Sequence, residues 1–239
     1  MYNLAFDQAH QTFRTYQQQR PDDPMGPVSD AAAYLFAEFD RLHILESEFF
    51  VDDDTFKAAK RLSPDPAAKQ KFESALNRTD QLTAAALARD GNDKNALFAG
   101  ILRRGLHADY LALIEKRYLT SLTEMKDSRT VAERLVASDP NYYDAYLAIG
   151  VENYMLSLKP APLRWMLRLG GAQTDKDLGI QKLRLTAEKG RYLQPFARLL
   201  LAVAALRDKN RDQARQMLQG LAREFPQNKL YAKELARLH

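Results

Sequence analysis

Asp40, His43 and Glu46 form the most promising pattern for metal chemistry in this sequence. A spacing of three residues places the three side chains along one face of a helix. Di-iron helix bundles use such faces, but they need a second carboxylate-x-x-His pair, which this sequence lacks. We therefore expect no metal ion here, and we expect His43 to hydrogen-bond a neighbouring carboxylate. The remaining histidines, in no metal-ligand spacing, are His10, His107 and His239.

Three other features were weighed as signs of catalysis or cofactor binding. The acidic run 52–54 lacks the glycine and the spacing of a calcium loop. Gly170 and Gly171 have neither a preceding strand nor a following Gly-Lys, so they do not form a phosphate loop. The absence of cysteine excludes disulfides, thiolate zinc sites and cysteine nucleophiles. The sequence thus predicts no cofactor and favours a function other than catalysis, with an unrecognised enzyme as the third hypothesis.

The elements that carry these residues have the character of helices. The 239 residues are 46% hydrophobic and 28% charged, which is typical of a soluble globular protein. Glycine and proline are few, with ten of each, and no segment alternates apolar and polar residues as a half-buried strand does. These features predict an all-α fold in a single domain.

A repeated helical pattern is clearest near the C-terminal end. Ala214, Leu218 and Leu221 are spaced four and three apart, so they share one helical face, and Pro226 stops the helix. A small residue is needed where the two helices of a hairpin approach closely, and in the same register Leu201 and Ala202 lie on the preceding helix. This stretch therefore predicts a helical hairpin followed by a closing third helix.

The pattern resembles the second helix of a tetratricopeptide repeat. The same register recurs at Ala9–Phe13–Tyr16–Pro21, at Ala31 and Tyr34, at Ser128–Ala132–Leu135–Pro140, and at Tyr146, Ile149, Gly150, Asn153 and Tyr154. The resemblance implies a right-handed α-solenoid of antiparallel helical hairpins, TPR-like, with inserted helices. It divides the chain into residues 1–51, a half repeat and the next first helix; 52–126, a divergent helical insertion; and 127–239, the C-terminal repeats with a capping helix.

Individual helices are also predicted. Ser29 or Asp30 is a candidate cap for a helix through about Glu48, and another helix runs from Ala67 to about Ala88. A further helix ends at Gly105, and the next is expected from 109 to 125 with Tyr110, Leu113, Ile114, Tyr118 and Leu122 as its apolar face. The first repeat begins with its second helix, so we expect either residues upstream of Met1 or an array that starts as a half repeat.

The resemblance also implies a binding surface, because tetratricopeptide solenoids line their concave face with particular first-helix positions. In this sequence those positions are Asp144, Leu147, Val151, Tyr154, Met155, Phe196, Leu199, Val203, Leu206 and Arg207. The surface is mostly apolar, which favours an apolar or helical peptide segment as the partner of a non-catalytic interaction scaffold. The alternative is that inserted helices cover these residues and that they belong to the core.

The segment 160–171 is the most unusual part of the chain. It carries Trp165, the only tryptophan, among leucines and two arginines, and it ends at a glycine pair. A basic amphipathic segment of this kind can lie on a membrane surface or support self-assembly, which gives the alternative function of a peripheral membrane adaptor or a structural protein. The simpler hypothesis, which we favour here, is a short inserted helix with Trp165 in the core.

Charge and targeting signals bear on partners and location. From Lys159 onward the chain has 17 Lys and Arg against 7 Asp and Glu. This asymmetry can steer an acidic partner to the C-terminal half, and the alternatives are an ordinary solvated surface or pairing with the acidic half of another copy. Nucleic acid is not favoured, because no recognised binding motif accompanies the scattered basic residues. A homodimer through the apolar N-terminal helix is one expectation. No signal peptide or run of about 20 apolar residues is present, and the compartment stays open, with an exported, periplasmic location as one alternative.

Overall fold

The structure is a computed structural model that describes residues 1–46 and 62–238. Within these ranges the chain forms eleven α-helices and no strand, so the predicted all-α class is confirmed. The helices are α1 Phe6–Gln19, α2 Met25–Arg41, α3 Pro66–Arg89, α4 Lys94–Asp109, α5 Tyr118–Ser138, α6 Tyr146–Ser157, α7 Ala161–Leu169, α8 Lys176–Lys189, α9 Gln194–Arg207, α10 Arg211–Glu224 and α11 Lys229–Arg237.

Short polar residues start several of these helices by satisfying backbone N–H groups that have no partner within the helix. The Asp65 carboxylate accepts from Ala67 N at 2.7 Å, and Pro66 occupies the first helical position of α3. The Asn210 and Asn228 side chains do the same for α10 and α11. These side chains therefore fix where the three helices begin.

Helices that follow one another in the chain pack against one another, with α7 as the exception. From α1 to α6 each helix contacts the next one in the chain. Helix α6 then contacts α8, and from α8 to α11 each helix again contacts the next. In addition, α2 contacts α4. The buried side chains accordingly form four clusters rather than one central core. This order of contacts is compatible with a helical repeat.

The C-terminal hairpin agrees with the pattern from which it was predicted. Ala214, Leu218 and Leu221 are buried together with Ala202 of α9. Arg198 near the start of α9 pairs with Glu224 at the end of α10, at 2.6 Å, so the two helices are antiparallel. The third helix, α11, packs on α10 through the buried Tyr231.

The two ends of the described chain meet. Asn228 Nδ2 donates to the Tyr2 carbonyl oxygen at 2.9 Å, and the Tyr2 ring lies 5.3 Å from the ring of Phe225. Glu46 accepts from Lys233 Nζ at 2.6 Å and from Arg237 at 3.1 Å. Residues before α1 and after α2 are thus bound to α10 and α11.

Two predicted helix boundaries in the first half of the chain are wrong. Helix α2 begins at Met25, so Ser29 and Asp30 lie inside it, and its first turn is fixed instead by Asp23, whose Oδ1 accepts from Met25 N at 2.9 Å. Helix α4 continues through Gly105 to Asp109. A glycine inside a helix weakens it without ending it, since packing decides the boundary.

The predicted helix 109–125 is also wrong. A π-helical turn, Tyr110–Ile114, extends α4, and Lys116 then adopts a left-handed conformation with φ of +58°. The chain reverses there and α5 runs from Tyr118 across the expected boundary at 126. Tyr110 and Ile114 are buried, whereas Tyr118 is exposed, so the predicted apolar face belongs to two different elements.

The predicted face of Asp40, His43 and Glu46 is not helical. Helix α2 ends at Arg41, and His43 has a φ of +58° with an exposed imidazole 3.6 Å from Glu46. No group of three or more potential metal ligands occurs within residues 1–46 and 62–238. The acidic run 52–54 and the predicted helix end at Glu48 lie outside the described residues.

Candidate functional site

Helix α7 differs from the other described helices because none of its residues is buried and it makes no extensive contact with another helix. Pro162 lies in its first turn, where proline needs no hydrogen-bond donor. Its end is fixed by Gly171, whose φ of +81° favours glycine and whose amide donates to Arg168 O at 2.9 Å. The sequence 160–171 therefore forms a short helix with defined ends.

The apolar side of α7 faces solvent. Trp165, Met166 and Leu169 are 67%, 59% and 70% exposed. At about 100° per residue these three side chains fall within one sector of the helix. The prediction that Trp165 lies in the core is therefore wrong, because hydrophobic periodicity marks an apolar face without saying what covers it.

The arginines of α7 point toward the rest of the chain. Arg164 donates to the Ser157 carbonyl oxygen at 3.1 Å, and Arg168 Nε donates to Thr174 Oγ1 at 2.6 Å. Amphipathic helices usually bury the apolar side and hydrate the charged side. In α7 the charged side holds the helix to the body and the apolar side is left open.

A network of buried and half-buried polar groups fixes the loop that follows α7. We call it the polar clasp, and it consists of Arg129 and Glu133 on α5, Glu152 and Asn153 on α6, and Gln173 in the loop. Arg129 Nε donates to Glu152 Oε2 at 2.9 Å, and Gln173 N donates to Glu152 Oε1 at 3.0 Å. Gln173 Nε2 donates to Glu133 at 2.8 Å, and Asn153 Nδ2 donates to Gln173 Oε1 at 2.8 Å.

Three further bonds tie the clasp to the ends of the loop. Arg129 donates to the Gly171 carbonyl oxygen at 3.1 Å, and Lys126 Nζ donates to Gly170 O at 2.7 Å. Asp175 N donates to Asn153 Oδ1 at 3.1 Å, so the same loop also sets the start of α8. Both termini of the loop are therefore held by α5 and α6.

Burial sets the electrostatics of the clasp. Desolvation raises the pKa of the Glu152 carboxyl above its usual range, although the Gln173 amide and Arg129 partly oppose this rise. A buried ion pair with all its hydrogen bonds satisfied gives geometric definition more than net stability. The clasp thus positions α7, and sequence analysis missed it because its members are spread from 129 to 173 with only Arg129 and Glu133 at helical spacing.

The ten residues predicted to line a concave face are distributed over several environments. Tyr154 is buried, and Leu147 and Val151 pack with it around Leu183. Leu199 and Leu206 pack against the cluster formed by α10 and α11. Val203 and Arg207 on α9 are partly buried, and Met155, near the end of α6, is exposed.

Two of the ten have contacts that identify a structural role. Asp144 is buried, and its carboxylate accepts from the backbone N–H groups of residues 191, 192 and 193 at 2.9, 3.0 and 2.8 Å, which fixes the turn before α9. The Phe196 ring packs edge-on against Phe36 of α2 at 5.7 Å. Both residues therefore bind other parts of this chain.

The two best-defined depressions on the described surface are open, and neither touches α7. One, of about 410 Å³, lies along α3 between Gln70 and Gln81, and the other, of about 430 Å³, lies near Asp22 and Arg89. Their linings are mainly polar, unlike the apolar, enclosed pockets that bind most small ligands.

The chain matches no family model, no curated protein and no solved structure among those compared. In the parts of the chain that the structure describes, no helix combines the length and the apolar character needed to cross a bilayer.

Proposed function

We propose that this chain is a non-catalytic adaptor that attaches to another macromolecular surface through the exposed apolar side of α7. The supporting observation is the orientation of this helix about its axis. Arg164 and Arg168 are bonded to the chain, and Trp165 faces solvent. Apolar patches left open on a folded chain mark interaction surfaces, because exposing them costs free energy that docking recovers.

In this proposal the other helices are a TPR-like solenoid scaffold, right-handed, with α7 as an inserted helix. The sequential packing of helices supports this arrangement, as does the close crossing of α6 and α8. At that crossing a Cβ on Gly179 would lie 2.6 Å from Tyr154 N, so glycine lets the two backbones touch. Gly150 sits opposite, against Leu183, and was expected at a small position of the repeat.

The concave surface inferred from the resemblance remains a second candidate for a peptide partner, but α7 is the better supported site. Docking needs accessible atoms, and Asp144 and Tyr154 are buried. Met155 is the exception among the ten, since it is exposed two residues before Ser157, the residue to which Arg164 donates.

Site-specific photo-crosslinking tests the adaptor function. A benzoyl-phenylalanine at position 165 is compared with the same group at Arg223, an exposed position on α10. In cells that express the chain naturally, we expect adducts with protein or with lipid from position 165, identified by their mass, and none of them from position 223. Equal adducts from both positions, or none from either, would overturn the proposal.

A further inference from the structure

The docking surface of α7 has a charge pattern that identifies the kind of surface it fits. From Lys159 to Gln173 the chain carries three cationic residues, Lys159, Arg164 and Arg168, and no acidic residue. On a helical projection the two arginines lie about 40° apart on one side of the exposed apolar sector, beside Trp165 and across the helix from Met166. The segment that presents the apolar side chains therefore carries only positive charge.

We propose that α7 binds the surface of a membrane that contains anionic lipids, an inference that rests on the adaptor function proposed above. Trp165, Met166 and Leu169 enter the boundary between headgroups and acyl chains, while the exposed Lys159 meets the lipid phosphates and the two bonded arginines add to the positive charge of the segment. Tryptophan suits this depth because its ring is apolar and its N–H is polar. The scaffold stays on the aqueous side.

The placement of α7 favours a flat, extended surface. No other helix makes extensive contact with α7, and its apolar residues are among the most exposed large hydrophobic side chains of the described chain. A planar bilayer can therefore reach the whole apolar sector. Because Arg164 and Arg168 already bind backbone oxygen atoms of the chain, the helix is fixed before contact and loses little conformational entropy on docking.

A second copy of the chain fits this surface less well. In a twofold-symmetric contact the same patch faces itself, so two segments 159–173, each with three cationic residues and no acidic residue, would lie close together. Like charges at an interface oppose association. A protein partner with an acidic border would satisfy the same chemistry, and the experiment below separates it from lipid.

Trp165 makes the test direct, because the only tryptophan of the chain reports on α7 alone. The purified chain is mixed with vesicles of phosphatidylcholine, or of phosphatidylcholine with phosphatidylglycerol, and its emission and flotation are recorded. We expect a blue shift and flotation with the anionic vesicles and a marked loss of both at high salt, because salt screens the charges.

Three variants give the expected changes. Leu169→Ser retains Trp165 and should weaken vesicle binding about tenfold or more, since a large apolar side chain leaves the lipid. Lys159→Gln, whose exposed side chain makes no described contact, should weaken binding to anionic vesicles about fivefold without changing helix content. The matched control Leu119→Ser removes a leucine that is 82% exposed on α5 and should leave binding unchanged.

Two results would overturn the membrane proposal. One is the absence of a blue shift and of flotation; the other is an equal loss in Leu119→Ser and Leu169→Ser, which would indicate unspecific adhesion. A discrete protein adduct from position 165 without vesicle binding would overturn lipid as the occupant and leave the adaptor function standing. Failure of both the crosslinking and the vesicle assay would remove both proposals.

Discussion

Arg129 and Glu152 form an ion pair of 2.9 Å from which water is nearly excluded, since their side chains are 8% and 1% exposed. The pair joins α5 to α6, and through Gln173 it also holds the loop behind α7. A single buried contact therefore links the packing of the scaffold to the presentation of the candidate docking helix.

Glu152→Ala should lower the free energy of unfolding by about 3–5 kcal/mol, because it leaves Arg129 buried without its buried carboxylate partner. Glu133→Ala removes the outer carboxylate of the same network, which is 38% exposed, and should cost about 1 kcal/mol or less. Urea denaturation of both variants measures the difference. Equal losses would show that the inner carboxylate has no special role.

Asp144→Ala should lower the free energy of unfolding by about 3 kcal/mol, because three backbone N–H groups before α9 lose their common acceptor. Asp212→Ala, an exposed carboxylate on α10, is the matched control and should change stability little. Thermal unfolding followed by circular dichroism distinguishes them. If Asp144→Ala left the free energy of unfolding unchanged, Asp144 would again be a candidate binding residue.

Gly179→Ala should destabilise the fold by about 1–3 kcal/mol, since its Cβ meets the Tyr154 backbone and overpacks the crossing of α6 and α8. Gly220→Ala should have the opposite sign and stabilise by up to about 1 kcal/mol, because no atom lies within 4 Å of its Cβ and alanine favours a helix. Chemical denaturation of the two variants measures whether the free energy of unfolding falls in Gly179→Ala and rises in Gly220→Ala.

Asp109→Asn should change the dependence of stability on pH. Burial raises the pKa of the Asp109 carboxyl from an ordinary 3.8 to about 7. Between these values the folded chain holds the proton more tightly than the unfolded chain, so the free energy of unfolding falls as pH rises from about 4 to about 7. The fall is on the order of 4 kcal/mol.

Asparagine at position 109 does not titrate in this range. The fall in the free energy of unfolding between about pH 4 and about pH 7 should therefore become smaller by a similar amount. Asp127→Asn, at an exposed position on α5, is the control and should follow the parent chain. Denaturation midpoints measured across the window give the comparison. Parallel profiles for parent and Asp109→Asn would contradict the assignment.

Local chemistry made several elements predictable. The start of α3 follows from an aspartate before a proline, and the hairpin of α9 and α10 follows from Ala202, Ala214 and Leu218 at helical spacing. In these places capping, periodicity and packing all favour the same structure. The all-α class is predictable for the same reason, because capping, periodicity and packing all favour helices.

Other features depended on contacts between distant residues. The reversal at Lys116 needs a left-handed residue that nothing in the local pattern requires. The exposure of Trp165 depends on polar partners for Arg164 and Arg168, which a helical projection does not show. The sequence therefore indicates segment 160–171 only as an alternative site, and it does not indicate the orientation of the helix.

The contact between the ends of the chain also affects how the molecule comes apart. A linear stack of repeats can lose its terminal units one after another, because each unit touches only its neighbours. Here neither end can fray alone, since Tyr2 and Glu46 are braced by the helices farthest from them in sequence. Such bracing couples the first helices to the last, so the helical array melts cooperatively instead of unravelling from its tips.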